Sequence, residues 1–64
     1  MACHIERIMK RRGLSRDDLC TEAQISSSYL TMLMRGDRSP NLETAQRIAK
    51  VLGVPTDKVW PPEN

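Results

Sequence analysis

Residues 14–36 read LSRDDLCTEAQISSSYLTMLMRG, from Leu14 to Gly36. The stretch divides at Gln24-Ile25 into two short helical runs. Ser15 is placed to cap the first run, with Asp18 at the third helical position in a variant of the capping box. Asp17 and Asp18 lie in the first turn, where the helix dipole favours anions. Leu19, Cys20 and Ala23 then face inward. Ser26 caps the second run, Leu30 and Leu33 face the core together with Met34, and Gly36 ends it. The outward face of that helix is left with Ser27, Ser28, Thr31, Met32 and Arg35. Two helices joined by a tight turn, about residues 15–35, are therefore expected.

The turn residue is informative. Position 24 ends the first helix and would most easily hold a glycine at positive φ. Glutamine there costs about 1 kcal/mol against glycine if the backbone turns left-handed. Ile25 plugs the turn into the core. The three serines at 26–28 have a bland reading as cap and solubility, and for Ser26 capping suffices. Ser27 and Ser28 are poor helix formers in one turn. They are easier to understand if the start of the helix must closely approach a phosphate or a base edge, because N–H groups at a helix N-terminus favour anions.

The flanking sequence supplies the support. A first helix from about Ala2 to Arg12 places Ile5, Ile8 and Met9 on one stripe. Lys10, Arg11 and Arg12 complement the negative end of its dipole, and Gly13 follows as the left-handed cap. After a loop at Asp37–Pro40, Asn41 caps a fourth helix that ends before Gly53. Its stripe is Leu42, Ala45, Ile48, Ala49 and Leu52, with Arg47 and Lys50 on the wet face. Val54 leads into a short fifth helix across Pro55 to Trp60, stopped by Pro61-Pro62. No repeat or low-complexity tract interrupts this order. The fold class is all-α: a compact bundle of five short helices in one domain, residues 1–64.

Composition narrows the function. Sixty-four residues with no Phe, one Tyr and one Trp build one small, mainly aliphatic core. No apolar run approaches the roughly 20 residues of a membrane span. Met1 is followed by polar and charged residues rather than a signal-peptide pattern, so a cytoplasmic site is expected. Two cysteines, Cys3 and Cys20, are too few for a disulfide framework and fit a reducing compartment. Cys3, His4 and Cys20 have no recognised zinc spacing, so no metal and no cofactor are assigned. Cys20 reads as packing, and His4, with no visible partner, as an exposed side chain. No acid–base pair, nucleophile constellation or phosphate loop points to an enzyme. The net charge of +2 says little, but its distribution says more. Cations gather at the end of helix 1 and, as Arg35 and Arg38, at the loop after helix 3. Phosphate binding and simple solvation of helix ends both account for that.

Residues across nearly the whole chain resemble the phage repressor and Cro type of helix-turn-helix, the XRE family. They are Leu14-Ser15, Leu19, Ala23, Ile25-Ser26, Tyr29-Leu30, Leu33, Gly36, Arg38, Pro40, Leu42-Glu43-Thr44, Ile48-Ala49 and Leu52-Gly53-Val54. The resemblance implies a lambda-repressor-like DNA-binding domain whose third helix enters the major groove. It places base readers at Ser27, Ser28, Thr31 and Met32. It places DNA-backbone contacts at Arg16, Ser26, Arg35 and Arg38, where Arg16 stands at a position that often holds a phosphate-binding glutamine. The family pairs subunits so that two such helices fall about 34 Å apart, one turn of DNA. Val59 and Trp60 are the expected homodimer contact, although Trp60 serves equally well as a lid on its own core. The expected partner is a double-stranded, palindromic operator in the nucleoid. The expected role is a small Cro-like or controller-type repressor that blocks RNA polymerase. Asp17 and Asp18 would face polymerase in an activator, but their dipole and capping role explains them without it. The alternative is a protein-interaction module of the same fold, antitoxin-like or an anti-regulator, with little direct DNA binding.

The sequence departs from the family pattern in three places. Gln24 replaces the turn glycine. The reading face lacks the Gln, Asn or Arg that make bidentate base contacts, which leaves more to water and DNA shape. A late-helix-1 arginine and a late-helix-3 glutamate, often paired in the family, are here Met9 and Met34. An apolar contact between those two positions is expected, so Met34→Glu should strand a charge.

Overall fold

The computed structural model describes residues 3–61 and contains five helices among them. These are α1 (Ile5–Arg12), α2 (Arg16–Ala23), α3 (Ser27–Arg35), α4 (Leu42–Leu52) and α5 (Thr56–Val59). They form the all-α, lambda-repressor-like arrangement, with no strand among the described residues. The core takes side chains from every helix: Ile5, Ile8 and Met9, Leu19 and Ala23, Leu30 and Leu33, Ile48, Ala49 and Leu52, and Val59. Each fully buried aliphatic side chain contributes roughly 1.5–3 kcal/mol over its exposed state. The α4 helix is the spine, packing against α1, α2 and α5, while α2 also packs against α3.

Side-chain caps set three of the helix starts. Ser15 Oγ accepts from Asp18 N–H at 3.1 Å, Ser26 Oγ from Tyr29 N–H at 3.0 Å, and Asn41 Oδ1 from Thr44 N–H at 2.8 Å. Four helix ends share one closure, in which two consecutive N–H groups turn back onto carbonyls of the last turn. For α2 these are Gln24 N–H to the Thr21 carbonyl at 3.3 Å and Ile25 N–H to the Cys20 carbonyl at 3.0 Å. The closure needs a left-handed residue. Glycine supplies it at positions 13, 36 and 53, and Gln24 supplies it at φ 59°, the single positive φ outside glycine among the described residues. The strain expected from the sequence is therefore present at the helix-turn-helix corner.

Four details differ from the sequence reading. Helix α1 starts at Ile5, because the residues before it are tied elsewhere: His4 N–H donates to the Val59 carbonyl at 2.8 Å and Cys3 Sγ to the Leu33 carbonyl at 3.4 Å. Ala2, the expected start, and Pro62, half of the expected stop, lie outside the described residues. Arg47 is half-buried beside Glu22, Gln24 and Val51 rather than on a wet face, and its Nε is buried with no partner among the described residues. Its aliphatic stem lies along the protein as long cationic side chains do. Leu42 is 74% exposed and is no part of the core. It sits in the first turn of α4, only about 20° around the helix from buried Ala49, at a level where the core has not yet begun. Finally, α5 is shorter than expected, four residues with Pro55 before it and Trp60 after it.

Candidate nucleic-acid interface

The α3 helix buries Leu30 and Leu33, packs Tyr29 and Met34 against the edge of the core, and turns its remaining side chains outward. Ser27, Ser28 and Arg35 are exposed, and Thr31 and Met32 are half-exposed. The Ser26 hydroxyl satisfies Tyr29 N–H. A helix leaves its first N–H groups without intrahelical partners, so those of Ser27 and Ser28 remain in the exposed first turn. Together with the dipole this makes an anion-favouring end.

The expected contact residues fall into separate groups. Ser27 and Thr31 form a cluster with Arg16, which crosses from the first residue of α2. Arg16 Nη2 donates to Thr31 Oγ1 at 2.6 Å, to Ser27 Oγ at 3.2 Å and to the Ser27 carbonyl at 3.2 Å. Its Nη1 reaches Met34 Sδ at 3.4 Å. Thr31 Oγ1 donates in turn to the Ser27 carbonyl at 3.1 Å. Ser28 and Met32 stand on the helix outside this cluster.

The loop cations are held differently. Arg38 lies with its guanidinium carbon 5.8 Å from the Tyr29 ring centroid, a cation–π placement that biases where the charge stands. Arg35 Nε pairs with Asp37 Oδ2 at 3.3 Å, with both side chains more than half exposed. An exposed pair of this kind is worth only about 0–1 kcal/mol, so it is easily traded for another anion.

At the dimer candidate, the two named residues part company. Val59 is 0% exposed, its side chain spent inside the protein's own core. Trp60 is half-buried and joins Pro40, Leu42 and Ala45 around a shallow apolar groove bordered by Ser39, Thr56 and Asp57. Leu42 is the residue the sequence reading missed here. Its position in the first turn of α4, before the core begins, was the available signal.

Among the described residues no three His, Cys, Asp or Glu side chains stand together as a metal site. No helix there is long and apolar enough to cross a membrane. Met34, expected against Met9, packs against the core that holds Met9 and also has a cation beside its sulfur, Arg16 Nη1 at 3.4 Å.

A helix-turn-helix family model matches residues 5–59, so the match spans all five helices. The chain belongs to the XRE-type helix-turn-helix family. It is 40% identical over 50 residues to the HTH-type transcriptional regulator DdrOP3 of Deinococcus deserti, covering 78% of this chain and 39% of that protein. It is 33% identical over 48 residues to an uncharacterised HTH-type transcriptional regulator, y4dJ, of Sinorhizobium fredii, covering 75% of this chain and 62% of that one. The match thus spans between about two-fifths and three-fifths of those relatives' length.

Proposed function

We propose that this chain is a sequence-specific double-stranded DNA-binding module of a transcriptional regulator, acting without catalysis in the cytoplasm. The observation that carries the reading is the exposed hydroxyl-rich start of α3, at Ser27 and Ser28, with Arg16, Arg35 and Arg38 around it. The helix enters the major groove, Ser27, Ser28, Thr31 and Met32 meet base edges, and Arg35 and Arg38 hold phosphates. Ser26 keeps its cap and contributes to the backbone side of the interface.

One such helix spans only a few base pairs, so useful selectivity calls for two copies on a palindromic operator. The apolar groove at Leu42 and Trp60, with Pro40 and Ala45, supports that homodimer in place of Val59. Repression follows if the bound pair occludes RNA polymerase. The relatives' names as transcriptional regulators agree with this role.

The test is binding of the purified chain to duplex DNA across a salt series. Binding should weaken steeply with salt, with a log–log slope of about −0.9 per neutralised phosphate. Arg38→Ala should weaken all sequences alike, whereas Ser28→Ala should relax preference at one or two positions. The same exposed groove favours a second reading, a module that docks another protein. Absence of binding to any duplex at low salt, with a specific protein captured through Leu42, would select that reading instead.

A further inference from the structure

The family resemblance implies a phosphate contact for Arg16, and within the chain its guanidinium is laid along α3. Three of its contacts go to groups on the outward face, at 2.6, 3.2 and 3.2 Å, and a fourth goes to the Met34 sulfur at 3.4 Å. Resting on the DNA-binding reading above, we propose that Arg16 is a specificity-determining residue that acts through α3. It fixes the hydroxyl of Thr31 as an acceptor towards DNA, and base preference follows from that.

A hydroxyl by itself is ambivalent, with one proton to give and two lone pairs to receive. It can therefore satisfy almost any base edge, and a face built from serines and threonines discriminates poorly. A guanidinium is the opposite: it only donates. Any hydroxyl oxygen that meets it must accept there. Thr31 is then fully specified. Its proton goes to the Ser27 carbonyl at 3.1 Å, one lone pair takes Arg16 at 2.6 Å, and one lone pair remains. Towards DNA, Thr31 is an acceptor and a methyl group. It fits the exocyclic amino group of cytosine or adenine, and its methyl suits a neighbouring thymine. Ser27 is less constrained. Its oxygen accepts from Arg16 at 3.2 Å, which leaves it a proton and a lone pair, so it can still meet a base donor or a base acceptor. The fixed sense therefore lies in Thr31, whose single free lone pair and methyl group carry the preference.

A merely structural tie between α2 and α3 would be indifferent to base sequence, and a phosphate grip would be indifferent to it as well. The experiment therefore reads preference and charge separately. Sites are selected from random duplex DNA with the wild-type chain, Arg16→Lys, Arg16→Met and Thr31→Val. Affinity for the selected site is then followed against salt. Arg16 is exposed, so both substitutions leave the core intact. In Arg16→Lys and Arg16→Met the preference should flatten by about fivefold or more at one or two positions of each half-site. Those are the positions that Thr31→Val also flattens, and the salt slope of Arg16→Met should stay close to wild type. The proposal is overturned if Arg16→Met weakens every duplex by one common factor and lowers the slope by about one unit while Arg16→Lys restores both. It is equally overturned if the variants bind with the wild-type preference intact. If the wild-type chain selects no sequence at all, the DNA-binding reading itself falls, and that result is visible before any variant is made.

Discussion

Helices α3 and α4 begin and end alike. Ser26 and Asn41 cap them with near-identical hydrogen bonds, at 3.0 and 2.8 Å, and Gly36 and Gly53 close them in the left-handed conformation. Between those ends they diverge. Helix α4 buries Thr44, Ile48, Ala49 and Leu52 and touches three other helices. Helix α3 buries only Leu30 and Leu33, and its remaining face carries hydroxyls bound to a cation from another helix. Caps tell where a helix lies, whereas its middle tells what the helix is for. One helix holds the molecule together and the other is held by it.

That contrast yields three tests, of decreasing size. Leu52→Ala should remove about 2–5 kcal/mol by leaving a cavity in the spine. A domain of this size rarely has more than about 3–5 kcal/mol in total, so chemical denaturation should find the variant largely unfolded. A mild effect would mean that α4 is not the spine. Next, Ser26→Ala and Asn41→Ala should each cost about 1 kcal/mol, and nearly the same amount, in urea titrations. A clear inequality would show that the two ends are less alike than their geometry. The smallest effect is expected for Met34→Glu. From sequence this change strands a charge, but Arg16 Nη1 already lies 3.4 Å from the Met34 sulfur. A carboxylate there meets a cation at once, so thermal melts should shift by less than the equivalent of about 1 kcal/mol. The same ion pair should draw Arg16 away from Thr31. A large loss of stability would break this account of the α2–α3 corner.

What the sequence disclosed, and what it withheld, follows from range. Ser15, Ser26 and Asn41 act on N–H groups three residues away, so their roles were readable from neighbours alone. The left-handed Gln24 was readable because the helix-turn-helix register leaves no other residue for that corner. Leu42 was misplaced because a count of apolar spacing gives an angle around the helix and not the point where the core stops. Val59 was assigned to a partner because a lone valine near a chain end carries no sign of which surface it will cover. The start of α1 was misjudged because a carbonyl on α5 decides it, more than fifty positions away in the chain. Arg16 was assigned a phosphate by analogy. Its contacts within the chain, eleven and fifteen residues along at Ser27 and Thr31, depend on the angle between two helices and have no local signal.

The bond from His4 N–H to the Val59 carbonyl joins the first described backbone segment to the last helix. The approach to α1 and the end of α5 therefore open together. Undocking α5 releases the His4 amide, and peeling back the start of α1 unpairs the end of α5. Amide exchange at His4 should accordingly report the opening of α5 and of the start of α1 as one event, at a single rate.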